Sequence, residues 1–269
     1  FCETIPPDWV VTKVKGGVPP PGVEMADYIV HGAGYGQPQK FLEDEIGTIT
    51  INTADTINLF KYYLKPKGKF LFLSTSEVYS GLKESPFKES KIGTTDPTHP
   101  RACYIESKRC GEAICMAQRR LGVDAKIARL SLVYGEGTKM GDARVLNQFI
   151  EQALTTGKIE MKDAGAAKRT YCYVRDAVRI MWDVLLKGRE STYNVGGFSS
   201  TTIYDLAKMV GEITGAEVIV GKDKGLVGAP EDVKLDMGKA EKEFGIRPFT
   251  SLEVGLRHTV MWQKLNLYA

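Results

Sequence analysis

Nowhere in the 269 residues is there a run of about 20 apolar residues, so no segment reads as a membrane-spanning helix. The opening residues also lack the basic, apolar and small-residue succession of a secretory signal, and secretion is not indicated. Cysteine is scarce and unpatterned: five residues, at 2, 103, 110, 115 and 172, with no Cys-x-x-Cys pair. An odd, irregular set argues for reduced thiols and a cytoplasmic location rather than a disulfide framework. The three histidines (31, 99 and 258) add no pair at zinc-ligand spacing, so no metal site is expected. Charge of one sign is lacking too: 36 Lys and Arg against 33 Asp and Glu leave +3, spread along the chain without the basic stripe of a nucleic-acid binder. There is no internal repeat or low-complexity tract, and Pro19-Pro20-Pro21-Gly22 is the one linker-like stretch. What is present, 43% hydrophobic and 26% charged residues, suffices for a large core and reads as a soluble globular protein.

The apolar pattern alternates between strand and helix. Asp27 to His31, Lys69 to Ser74 and Ala125 to Leu130 are short apolar runs that end in small or polar residues. Between the first two, Leu42, Ile46, Ile49, Ile57, Phe60 and Leu64 approach helical spacing and predict a crossover helix over 41–64. A second helix is expected over 102–121. The repetition predicts an α/β fold with a doubly wound, Rossmann-like parallel sheet. Beyond Tyr134 the pattern loosens into a smaller C-terminal α/β lobe, with helices near 143–156, 175–187, 202–214 and 251–264. Short strands are expected at 159–161, 192–195 and 218–220, one of them returning to the main sheet. The division is 1–131 with 172–198 for the sheet domain, and 132–171 with 199–269 for the lobe.

Two segments carry chemistry. Ser74-Thr75-Ser76-Glu77-Val78-Tyr79 closes an apolar run, and Tyr104-Ile105-Glu106-Ser107-Lys108 places a lysine four residues after a tyrosine. On a helix these two share a face, so the ammonium can favour the phenolate of Tyr104 while Thr75 shares a substrate proton. Lowering a phenol pKa from about 10 to about 7 takes about 4 kcal/mol of preferential phenolate stabilisation. Ligands of open parallel sheets bind beyond the carboxyl ends of the strands, where His31, Thr75 and the residues after Leu130 fall together. His31 itself reads as a structural strand-end residue rather than a catalyst.

The chain from about Asp27 onward resembles the extended short-chain dehydrogenase/reductases that modify nucleotide sugars, most nearly the UDP-glucuronate decarboxylases. The resemblance rests on His31-Gly32-Ala33, Asn52, the Ser74–Tyr79 segment, Arg101-Ala102-Cys103-Tyr104 leading to Lys108-Arg109, and Tyr134-Gly135. It continues through Arg144-Val145, Asn147-Gln148-Phe149, Arg169-Thr170-Tyr171-Cys172-Tyr173-Val174-Arg175-Asp176, Asn194-Val195-Gly196 and Asp236-Met237-Gly238-Lys239-Ala240. It implies NAD as cofactor, held by His31, Gly32, Ala33, Asn52, Ser74, Tyr104 and Lys108. It implies Tyr104 as the base at the sugar C4 hydroxyl, with Thr75, Glu77 and Lys108 as the other catalytic residues. Ser76, Arg144, Arg169 and Lys234 are then the substrate-binding residues, Arg169 toward the pyrophosphate of a UDP-sugar. A homodimer joined through the helices near 42–64 and 100–121 is also implied.

Several departures accompany the likeness. Ser76 stands where related 4,6-dehydratases carry an aspartic acid, which disfavours dehydration; a nucleotide-sugar 4-epimerase or 4,6-dehydratase is the enzymatic alternative. Leu132 and Val233 replace an asparagine and an arginine of the decarboxylases, with Lys234 available as a substitute point charge. No Gly-x-x-Gly-x-x-Gly turn joins an opening strand to a helix; Gly32-Ala33-Gly34-Tyr35-Gly36 has the wrong spacing to replace it. The chain is therefore expected to enter the fold late, with Trp9 to Val14, and to be a fragment whose Tyr28-Ile29-Val30 lies on an apolar sheet edge. The alternative is that 9–14 pairs directly with 27–31 in a shortened, non-catalytic nucleotide-sugar binder.

Overall fold

The computed structural model describes residues 9–14, 19–83, 85–222, 232–245 and 249–268. Cys2 lies outside them, and the four described cysteines are free. The chain enters through β1 (Ala26–His31), passes α1 (Pro38–Glu43), α2 (Glu45–Asn52), α3 (Ala54–Asn58) and a π turn at Leu59–Tyr63, and returns in β2 (Leu64–Thr75). A 3-10 turn at Ser76–Tyr79 follows, then α4 (Ala102–Arg120), β3 (Asp124–Leu130) and β4 (Leu132–Tyr134). The remainder comprises α5 (Val145–Thr156), β5 (Lys158–Glu160), β6 (Lys168–Arg169), β7 (Tyr171–Tyr173), α6 (Val174–Lys187), β8 (Thr192–Val195), β9 (Thr201–Thr202), α7 (Ile203–Thr214), β10 (Glu217–Ile219), β11 (Asp232–Val233), α8 (Gly238–Phe244) and α9 (Leu252–Asn266). None of the described helices is long and apolar enough to cross a membrane.

The main sheet is parallel throughout, in the order β1-β2-β3-β8, so the 192–195 strand does return to it. Both faces are covered, which is why its strands are near-continuous apolar runs. With a side-chain period of two, Phe70 and Phe72 face a core of Leu59, Phe60, Cys115 and Ile127. Leu71, on the opposite face, packs with Ala128, Val195 and the α6 residues Ala177, Ile180 and Val184. A third core belongs to the C-terminal lobe, where Leu146, Phe149 and Ile150 of α5 meet Leu206 and Val210 of α7 and Leu256 and Val260 of α9.

Two expectations are corrected. The single crossover helix over 41–64 is broken at Asp44 and Thr53. Asp44 turns its carboxylate onto the Gly47 amide (2.9 Å) to cap α2, and Thr53 Oγ1 donates to the Ile49 carbonyl at 2.7 Å. The β-branched succession Thr48-Ile49-Thr50-Ile51 adds rotamer cost to any continuous helix. The second correction concerns 9–14, which forms no strand. Trp9 instead stacks on Tyr28 (4.7 Å between centroids) and stands edge-on to Trp182, while Val10 is 95% exposed. Among the described residues β1 has β2 as its one strand neighbour, so the apolar edge read from Tyr28-Ile29-Val30 is present.

Candidate active site

The site forms where β1, β2 and β3 end and the first turns of α4 cross above them. Gly111 permits that crossing: a Cβ there would sit 2.3 Å from Phe72 Cζ and 2.8 Å from the Asn52 carbonyl oxygen. Held so close to the sheet, α4 buries Lys108, whose Nζ donates to the Leu73 carbonyl at 2.8 Å and lies 4.8 Å from the Phe72 ring centroid. Burial lowers the Lys108 pKa to about 8, with Glu112 working in the opposite direction.

Tyr104 lies one helical turn earlier. Its ring stacks on Phe41 with centroids 4.6 Å apart and planes 3° from parallel, and its hydroxyl is hydrogen-bonded to Thr75. Thr75 also caps the 3-10 turn, accepting from the Glu77 amide at 3.2 Å, which turns the Glu77 side chain toward α4. There it meets Arg101, the residue before α4, in an ion pair. Desolvation raises the Glu77 carboxyl above its ordinary range, against the pull of Arg101. Tyr104 feels Glu77, Arg101 and Arg144, yet burial dominates and pushes its hydroxyl up to about 12. The lowering expected from Lys108 is thus not realised in this arrangement, because the ammonium is committed to the Leu73 carbonyl and sits 6.0 Å from the Tyr104 ring centroid.

The neighbouring loop gives a test for NAD. Asn52 donates to the Thr48 carbonyl and to Ser107 Oγ, each at 3.0 Å, but its buried Oδ1 has no hydrogen-bond partner among the described residues. Gly34 lies over it: a Cβ there would be 3.6 Å from Asn52 Oδ1 and 3.8 Å from Lys108 Nζ, on a backbone with φ +132°. An unsatisfied acceptor and a buried ammonium under a side-chain-free loop fit the hydroxyl-rich nicotinamide ribose. Gly32 keeps the same loop tight, 3.1 Å from Leu73 Cδ1 by the same measure, and Ala33 lies between them.

Other expected residues are placed differently. His31 is a strand-end anchor whose Nε2 lies 3.1 Å from the Ile51 carbonyl; burial and the Lys108 charge lower its pKa to about 4. Ser74 donates to Glu112 Oε1 at 2.6 Å. Ser76 is half-buried within the 3-10 turn. Arg144, at the start of α5, acts weakly on Tyr104 through its charge while held by Asp142 through Nε at 2.9 Å and through its terminal nitrogen at 2.5 Å. Arg169 and Lys234 form a second group on the C-terminal lobe, where Arg169 is in parallel register with Val233. Sequence reasoning assigned no role to Phe41 or Arg101, although Arg101 stands three residues before Tyr104, the spacing of neighbours across a helical turn.

A threonine, a tyrosine and a buried lysine thus gather beyond the carboxyl edge of a parallel sheet, the place where ligands of such sheets bind. Residues 22–196 match the NAD dependent epimerase/dehydratase family, and the chain belongs to that family. NAD is its cofactor. UDP-glucuronic acid decarboxylase 1 of Xenopus tropicalis is 30% identical over 242 residues, 90% of this chain and 58% of the relative, so the chain spans less than two-thirds of that protein's length. Among solved structures, the UDP-glucose 4-epimerase of Thermotoga maritima with UDP-glucose superimposes with a TM-score of 0.78 at 27% identity, over 90% of this chain and 78% of that one. RMD from Pseudomonas aeruginosa complexed with NADPH shares the fold, with a TM-score of 0.82 at 22% identity over 96% and 90% of the two chains.

Proposed function

We propose that this chain modifies a nucleotide sugar through a transient ketone at C4, and that UDP-glucuronate decarboxylation is the reaction. The observation that carries the reading is the convergence of Thr75, Tyr104 and Lys108 at the sheet edge with a carboxylate, Glu77, and an arginine, Arg101, at the same tyrosine. The decarboxylase name of the Xenopus relative supports the choice of substrate.

NAD, when bound, accepts the C4 hydride and later returns it. Tyr104 takes the C4 hydroxyl proton and Thr75 holds that oxygen while the bond order changes. Tyr104 must lose its own proton first, so its hydroxyl has to fall from about 12 toward neutrality in the loaded site. Positive charge close to the phenol favours this step: Arg101 and Arg144 already act in that direction, and Lys108, now bonded to the Leu73 carbonyl, would add to them if released toward a bound cofactor. With C4 a ketone, the C6 carboxylate is β to the carbonyl. The C5–C6 bond breaks, carbon dioxide leaves, and the electron pair passes to the C4 oxygen, where Tyr104, now protonated, and Thr75 bear it. C5 then takes a proton, for which Glu77 is the acid once it is protonated; burial raises its carboxyl against the pull of Arg101.

The sheet domain (1–131 with 172–198) holds the cofactor in this reading, and the lobe of 132–171 with 199–269 holds the nucleotide through Arg169 and Lys234. A cytoplasmic homodimer is part of the proposal: Ile46, Ile49 and Ile57 are 74%, 39% and 47% exposed on the helices named for that contact. The test is mass spectrometry of UDP-glucuronate and a panel of nucleotide hexoses after incubation with protein and NAD. Loss of carbon dioxide is expected, reduced by about 10²–10⁴-fold in Tyr104→Phe. The likeness to the Thermotoga epimerase favours a second reading, which an isomer of unchanged mass from UDP-glucose would establish instead. No product and no NAD binding would leave only a sugar-nucleotide binder.

A further inference from the structure

Four charged side chains surround the Tyr104 hydroxyl and the base of its helix, and two of them are fully committed. Arg144 is held by Asp142, and Lys108 by the Leu73 carbonyl. Glu77 is the one anion acting on Tyr104, and Arg101 is its counter-ion. That last pair is only half made. Arg101 engages Glu77 through a single terminal nitrogen, and both Nε of Arg101 and Oε2 of Glu77 are buried without a hydrogen-bond partner among the described residues. A buried polar atom left unpaired is costly, so two such atoms within one ion pair are an unusual thing for a fold to retain.

A guanidinium recognises a carboxylate best through Nε and a terminal nitrogen together, in one plane. Arg101 has that edge incompletely used, and its plane is supported by the Phe41 ring, with Cζ 5.5 Å from the centroid. The other face of this support is the chemistry itself, since Phe41 stacks on Tyr104. Arg101 is therefore held near Tyr104 through a shared ring, yet not saturated. A neutral hexose brings nothing for its open edge, whereas a hexuronate brings a second carboxylate beside Glu77, and only a shared cation makes that approach favourable. Val233, aligned with Arg169, supplies no charge for the purpose.

We infer that Arg101 is the specificity-determining residue of this site: it turns from Glu77 to the carboxylate of an acidic sugar, so that the site selects a nucleotide hexuronate over the neutral hexose. The inference rests on the reading that a nucleotide sugar reacts at Tyr104. It adds that selection is made at the entry to α4, on the sheet domain, rather than in the C-terminal lobe.

The experiment is calorimetric titration of the NAD-saturated protein with UDP-glucuronate and with UDP-glucose, for the unaltered chain, Arg101→Gln and Arg101→Lys. The unaltered protein is expected to prefer UDP-glucuronate by at least about tenfold, Arg101→Gln to abolish the preference while UDP-glucose binding stays within about threefold, and Arg101→Lys to restore part of it. No preference in the unaltered protein, including no measurable binding of either sugar, overturns the inference. So does equal weakening of both sugars in Arg101→Gln. Should that variant unfold, Phe41→Leu removes the platform and keeps the charges: a smaller preference upholds the inference and an unchanged one overturns it. Carbon dioxide release is read separately. An Arg101-dependent preference that yields only a 4-epimer sinks the decarboxylase reading and leaves the inference standing. Carbon dioxide release with the preference intact in Arg101→Gln does the reverse.

Discussion

His31 shows how a residue at the edge of the site is tuned by the site. It is 3% exposed, bonded to the Ile51 carbonyl and within the field of Lys108, and its pKa falls to about 4. Between that value and the ordinary 6.5 the unfolded chain binds a proton that the folded chain refuses, so stability rises with pH through this window and is lost as pH falls. From pH 7.5 to about pH 5 the loss from this one group is about 2 kcal/mol. Urea unfolding at both pH values should show it, and His31→Gln should flatten the difference; an unchanged slope in the variant would assign the loss to other groups. The sequence marks His31 as structural because it ends a strand, and that part was legible. Its coupling to Lys108 was not, since 76 intervening residues separate the two and only the crossing of α4 brings them together. The same holds for Phe41 and Arg101, whose ring and guanidinium meet across the break between helices.

At the scale of elements, α4 does most to organise the site, and two of its residues determine its seat. Gly111 lets it press against Phe72 and the α2 carbonyl of Asn52. Gly111→Ala is expected to cost about 1–3 kcal/mol by overpacking and to displace Lys108, lowering activity more than NAD-independent sugar binding. Glu112 meets Arg129 of β3 through two hydrogen bonds, at 2.9 and 2.7 Å, with both side chains nearly buried, and it also accepts from Ser74. Removing one partner leaves a charge stranded, so Glu112→Ala should destabilise by about 3–5 kcal/mol and lower Tm by on the order of 10 °C, whereas replacing both with methionine should recover much of the loss. If the single and double variants melt alike, the pair is not what seats the helix. Strands and long helices of this chain were legible from period alone. The 41–64 region was not, because its apolar spacing persists through two backbone breaks made by side chains, Asp44 capping forward and Thr53 bonding back. The two-residue strands β6, β9 and β11 carry no period at all and exist through tertiary pairing.

For the whole molecule, the main sheet's edge and α4 carry Thr75, Tyr104 and Lys108, and the small three-stranded sheet carries Lys168 and Arg169. The exposed isoleucines of α2 and α3 lead to a further expectation: sedimentation should find a dimer that Ile46→Asp with Ile57→Asp converts to a monomer, and a monomeric unaltered chain would dismiss the contact. The central claim is that the sugar is oxidised and re-reduced at C4 under the control of Tyr104. It is tested most directly by following UDP-glucuronate deuterated at C4, in ordinary water, by mass spectrometry and NMR. The expected product is a UDP-pentose that has lost carbon dioxide, keeps deuterium at C4 and carries a solvent proton at C5, formed about 10²–10⁴-fold more slowly by Tyr104→Phe. Loss of the C4 label to water, or the same product formed at an undiminished rate by the Tyr104→Phe protein, would contradict it.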